Sequence, residues 1–194
     1  MKAYSALPEN YKEIFSVNLQ KDKKKSILVN SFALLIAAVM IVPVHFIIPI
    51  TELFSVGEDM KMYFIRFAVL LILSVLYIVL HEAVHGVAMK ICGTKKIKYG
   101  FTGIYAFAGS NDYYDKKSYI FIALAPVVLW GIVLAAVNFF VPREWFWVIY
   151  FVQISNISGA AGDFYVTAKF SRFPKDILVK DYGVGMTVFS AEKE

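Results

Sequence analysis

The sequence has one cysteine, Cys92, among its 194 residues, which excludes an internal disulfide framework. Charge is scarce too: 18% of residues are charged against 59% hydrophobic, and the mean hydropathy is +0.61. An ordinary soluble domain is apolar over roughly half its residues, so this balance predicts an integral membrane protein. The first 25 residues lack the short apolar segment and cleavage site of a removable signal peptide, and the first span is expected to stay in place. Internal repeats and low-complexity tracts are absent. The basic pI, about 9.1, does not indicate nucleic acid, because Lys and Arg fall in short clusters beside apolar runs, as membrane topology requires.

Crossing roughly 30 Å of hydrocarbon takes about 20 apolar residues, and four segments qualify: 27–50, 63–89, 119–141 and 145–166. Lys21 and Lys23 to Lys25 precede the first. Lys95, Lys96, Lys98, Lys116 and Lys117 lie between the second and third, and Lys169, Arg172, Lys175 and Lys180 follow the fourth. The loops TELFSVGEDMK and VPRE carry far less positive charge. The positive-inside rule therefore puts both termini and the 90–118 loop in the cytoplasm. The expected fold is an all-α polytopic membrane protein of about four transmembrane helices. Residues 1–26 form a cytoplasmic N-terminal segment, 27–170 the membrane domain, and 171–194 a cytoplasmic tail. His45, near the outer end of the first span, reads as an interfacial residue.

At the inner end of the second span stands His-Glu-Ala-Val-His, residues 81–85. On a helix, His85 lies roughly 7 Å and His81 roughly 13 Å before Lys90 reaches the headgroups, so the motif sits inside the membrane. Residues i and i+4 share a helix face, which lets both imidazoles address one metal ion while Glu82 projects beside them. This suits zinc hydrolysis, in which the ion acidifies a water and a neighbouring carboxylate takes its proton. Ionisable groups at such depth cost about 2.5–3.5 kcal/mol each on insertion scales and mark function by default.

A catalytic zinc usually has three protein ligands, and the third must lie at the same depth. Of the acids after His85, Asp112 and Asp115 stand in the 90–118 loop, Glu144 belongs to the outer face, and Asp176, Asp181, Glu192 and Glu194 to the tail. Asp163 is six residues before Lys169, roughly 9 Å below the cytoplasmic surface, and arrives at the depth of the histidines. Gly159, Ala160, Ala161 and Gly162 allow close helix approach. Asn156, two turns before Asp163, either hydrogen-bonds a substrate carbonyl or oxyanion or ties two helices together.

HEAVHG at the end of a span, the proline-bearing third span ALAPVV (Pro126), and N-x-x-G-x-x-G-D from Asn156 to Asp163 together resemble a small bacterial membrane family of zincin peptidases. Beyond that family, they resemble the site-2 protease class of intramembrane metalloproteases. The resemblance covers most of the chain, from LPENY to KDYGVG. It implies His81, His85 and Asp163 as ligands of Zn2+ and Glu82 as catalytic base.

In IKYGFTGIYAF, Ile97, Tyr99, Phe101, Tyr105 and Phe107 recur with period two around Thr102-Gly103, which predicts a short β-hairpin after the second span, either re-entrant or cytoplasmic. By resemblance to site-2 proteases it offers an edge strand to an extended substrate; otherwise it caps the helices. Weak alternation in KDILVKDYGVGMTVF predicts a strand pair in the tail. The expected protein is an intramembrane zinc metalloprotease of the bacterial cell membrane, with a membrane-protein substrate, the lipid bilayer as surroundings and no nucleic-acid partner. The competing reading is a non-proteolytic, metal-stabilised scaffold or partner-binding subunit.

Overall fold

A computed structural model describes residues 1–54, 60–103, 106–183 and 185–192. Among the described residues, three helices are long and apolar enough to cross a membrane: α1 (Lys23–His45), α3 (Met60–Ile91) and α4 (Lys116–Phe140). A four-residue helix, α2 (Thr51–Phe54), precedes the SVGED stretch of the anticipated outer loop, which lies outside the described residues. With 32 residues, α3 is about 48 Å long, more than the hydrocarbon core requires. Large apolar side chains such as Leu34, Leu71, Ile72, Phe139 and Phe140 are exposed along these helices, as they are in a protein whose solvent is lipid.

The segment expected as a fourth span is two helices, α5 (Phe146–Gly159) and α6 (Ala161–Phe170), so no single helix there has spanning length. The interruption falls at Ala160, whose φ of −80° and ψ of 13° leave the helical region. The sequence around it, SGAAG, carries two glycines, each of which weakens a helix interior by roughly 1 kcal/mol relative to alanine. Hydropathy registers the apolar side chains of this stretch but not the break.

The all-α expectation also needs correction, because the described residues include seven strands. Strands β1 (Ala3–Tyr4), β2 (Tyr11–Asn18), β5 (Tyr113–Asp115), β6 (Leu178–Asp181) and β7 (Gly185–Ala191) form an antiparallel sheet in the order β1-β5-β6-β7-β2. Residues from both ends of the chain thus share one sheet, with Tyr11 opposite Ala191 and Asn18 opposite Gly185. The strand pair expected in the tail is β6 and β7. Strands β3 (Ile97–Phe101) and β4 (Ala106–Ser110) make the anticipated hairpin; Tyr105 lies outside the described residues.

The chain divides into two compact units. One comprises Met1–Val29, His81–Pro126 and Gly162–Glu194 and contains both sheets. In its core, Tyr114, Phe170, Ile177, Val179 and Val188 are fully buried, and Ala88, Met89 and Cys92 from the end of α3 and just beyond it pack with them. The Ala3 N–H donates to the Cys92 carbonyl at 2.8 Å, holding β1 to that end. The second unit, Asn30–Leu80 and Val127–Ala161, is helical. Its core centres on Trp147, Val148, Leu53 and Ile154. Polar groups there reach backbone carbonyls: Trp147 Nε1 donates to Pro49 at 3.1 Å and the Tyr150 hydroxyl to Met40 at 3.0 Å.

Candidate metal centre

The first unit brings together three donor atoms from two helices. His81 and His85 stand one turn apart on α3 with ring centroids 4.9 Å apart, and Asp163 lies in the first turn of α6. Both imidazole Nε2 atoms are 3.9 Å from Asp163 Oδ2, and the three donors all lie within 4.8 Å of one another. The side chains are 12%, 12% and 25% exposed. The break at Ala160 gives Asp163 its setting: a carboxylate in the first turn of a helix meets unpaired N–H groups and the positive end of the helix dipole.

Zinc ligands at about 2.1 Å in a tetrahedron lie roughly 3.4 Å apart, so donors that are 3.9 Å from each imidazole to the carboxylate and all within 4.8 Å of one another close on an ion by drawing together by about 0.5 Å and at most about 1.4 Å, within reach of side-chain rotation. Two imidazoles and one carboxylate are the donor chemistry of a catalytic site, with the fourth position open. His85 Nδ1 is 2.9 Å from the Ile122 carbonyl oxygen. Because a carbonyl only accepts, Nδ1 carries the hydrogen and Nε2 keeps its lone pair on the side facing Asp163. Among the described residues, Asp163 is the acid that completes the cluster. Asp115 instead accepts from the N–H groups of Ser118 and Lys2, capping α4.

Glu82 does not join the three donors. The backbone N–H of Ala108 on β4 faces its carboxylate, so the hairpin lies against the motif. Gly86 fits the same packing: a Cβ there would overlap the Tyr99 hydroxyl of β3, so the glycine after the second histidine admits the hairpin. On the far side of β4, a Cβ at Gly109 would be 2.7 Å from the backbone of Tyr182 and Gly183. The hairpin is thereby held between α3 and the turn after β6.

Sequence reasoning assigned Asp181 to the tail; in the fold it belongs to the surroundings of the metal cluster. Its Oδ2 accepts the Tyr119 hydroxyl at 2.5 Å, and its Oδ1 accepts the Gly183 N–H at 2.7 Å. Burial pushes this carboxyl above its ordinary range, opposed by those two hydrogen bonds, and its charge acts on His85, Asp163 and Glu82. The legible signal was Asp-Tyr-Gly, an aspartate two residues before a glycine, with Gly183 at φ +89°. Asn156 belongs to the second unit and is fully buried. Its Oδ1 accepts the Tyr77 hydroxyl at 2.9 Å and its Nδ2 donates to the Val127 carbonyl at 3.2 Å, so it links α5 to α3 and α4.

A family model described as "Putative zincin peptidase" matches residues 74–178, more than half of the chain. A protein of Pyrococcus woesei, described as "Uncharacterized 24.7 kDa protein in gap 5'region", is 31% identical over 120 residues, covering 58% of this chain and 50% of that protein. The chain thus spans about half the length of this curated relative. No solved structure matches the chain.

Proposed function

Because the chain belongs to this zincin peptidase family, we propose that it is a membrane-embedded zinc metallopeptidase that hydrolyses a peptide bond in or near a transmembrane segment of its substrate. The observation that carries the reading is the convergence of His81, His85 and Asp163 on one point at the end of a membrane-length helix, with Glu82 beside them. His81, His85 and Asp163 hold the zinc ion, which supplies Lewis acidity when bound. Glu82 takes the proton of the attacking water and delivers it to the leaving amine, with the Ala108 N–H beside its carboxylate. His85 is fixed in one tautomer by Ile122. A helical substrate must unwind to expose its bond, and water enters from the cytoplasmic side. The same residues support kinship with the site-2 protease class.

Strand pairing supports the topology. β1 and β2, β5 between α3 and α4, and β6 and β7 after α6 lie in one sheet, and paired strands share one side of a membrane. With α1, α3 and α4 each crossing once, a further passage through α5 and α6, of 14 and 10 residues, returns the chain to that sheet in this reading. The lysine clusters beside these strands assign the shared side to the cytoplasm.

The decisive comparison is Glu82→Gln with the parent, by zinc content and by the membrane proteome of expressing cells. Normal zinc, loss of cleavage fragments and accumulation of an intact membrane-spanning protein are expected. If Glu82→Gln matches the parent in every comparison while His81→Ala is defective, the metal-stabilised scaffold or partner-binding subunit replaces the peptidase.

A further inference from the structure

The hydrogen bond from His85 Nδ1 to the Ile122 carbonyl raises a question of supply. Inside an α-helix the carbonyl of residue i is taken by the N–H of residue i+4, and Ile122 lies within α4, Lys116–Phe140. The residue four positions on is Pro126, also within α4, which has no N–H. The amide that the helix assigns to Ile122 is therefore missing, and the imidazole N–H of His85 occupies the vacancy at 2.9 Å. Ile122 is 2% exposed, so water does not substitute, and a freed backbone carbonyl in an apolar setting must find a donor from its own protein.

We propose that Pro126 is a positioning residue for the metal centre: by deleting one helical amide it frees the Ile122 carbonyl to hold His85 as the Nδ1–H tautomer, with Nε2 presented to the ion. The inference rests on the metal-site reading above and concerns ligand orientation, not peptide cleavage. Two satisfactions are coupled. The carbonyl gains a donor, and the histidine loses the tautomeric and rotational freedom that otherwise weakens metal binding. Partners of this kind are worth about 10–100-fold in metal affinity. Any ordinary residue at 126 returns the N–H to the helix and sets it in competition with His85 for one oxygen.

Zinc affinity by chelator competition tests this on the purified full chain. Pro126→Ala is expected to bind zinc about 10–100-fold more weakly than the parent. Replacement of Pro126 by lactic acid, the ester analogue of alanine, has neither ring nor N–H and should restore most of the affinity. Parent-like affinity in Pro126→Ala overturns the proposal; so does an ester variant as weak as the alanine variant, since the ring and its bend would then be what matters. A measurement on the unaltered protein remains decisive if either variant misfolds. In metal-free parent protein, the ¹⁵N shifts of His85 should report the Nδ1–H tautomer, and an Nε2–H tautomer refutes the assignment. These readouts do not depend on hydrolysis. A protein that fails to cleave yet passes them loses the peptidase reading alone, and one that cleaves but fails them loses only this inference.

Discussion

Replacing Asn156 separates its two possible roles. The side chain is fully buried and has two partners, the Tyr77 hydroxyl at 2.9 Å and the Val127 carbonyl at 3.2 Å. Interhelical hydrogen bonds in membrane proteins contribute about 0.6 kcal/mol each on average, with a maximum near 1.7. Asn156→Leu removes both bonds, for roughly 1 kcal/mol. It also takes the Asn156 acceptor from the buried Tyr77 hydroxyl, which adds about 1–3 kcal/mol. A loss of about 2–4 kcal/mol in detergent unfolding follows. Tyr77→Phe in the same chain removes the hydroxyl that has lost this acceptor, so the double variant should recover about 1–2 kcal/mol of that loss. Zinc content should remain that of the parent throughout. The tie between helices is refuted as the role of Asn156 if Asn156→Leu unfolds like the parent, and a parent-like stability with lost hydrolysis would give the residue to the substrate instead.

Zinc content should fall sharply in His81→Ala, His85→Ala and Asp163→Ala and stay near normal in Asp112→Ala and Asp115→Ala; retention in Asp163→Ala with loss in either of the others would reassign the third ligand. Cysteines at Asn111 and Glu144, in a Cys92→Ala background, should label oppositely with an impermeant reagent on intact cells, protected at 111 and accessible at 144; the reverse would invert the protein. Gly109→Ala forces a methyl within 2.7 Å of the Tyr182 and Gly183 backbone, which has no rotamer by which to yield. A stability loss of about 1–3 kcal/mol is expected from thermal unfolding, and an unchanged midpoint would mean that β4 does not bear on that turn.

Much of the helical frame and the cluster could be read from the chain because both rest on local patterns. Apolar runs mark α1, α3 and α4 by length alone, and His81 and His85 share a face because of a four-residue spacing. Asp163 was reached by counting helical rise from Lys169, and the break at Ala160 moved it into the first turn of a new helix without separating it from the histidines. The five-stranded sheet was not legible: β1 has two residues, and β2 finds its partner in residues 185–191, a pairing that local periodicity does not encode. Asp181 is not legible as a neighbour of the site, because nothing local in the C-terminal segment shows that β6 lies between β5 and β7. The Ile122 oxygen has no letter of its own in a sequence; Pro126 is its only trace.

The pairing of Tyr11–Asn18 with Gly185–Ala191 sets an order on biogenesis. At roughly 5–20 residues per second of translation, some 9 to 36 s separate the synthesis of the two strands. Throughout that interval the N-terminal strand must wait with its edge unpaired, while every apolar segment of the chain is made. The unit that carries the two histidines and the aspartate therefore closes last, and a nascent chain stalled before residue 185 leaves β2 and β6 without the strand that joins them.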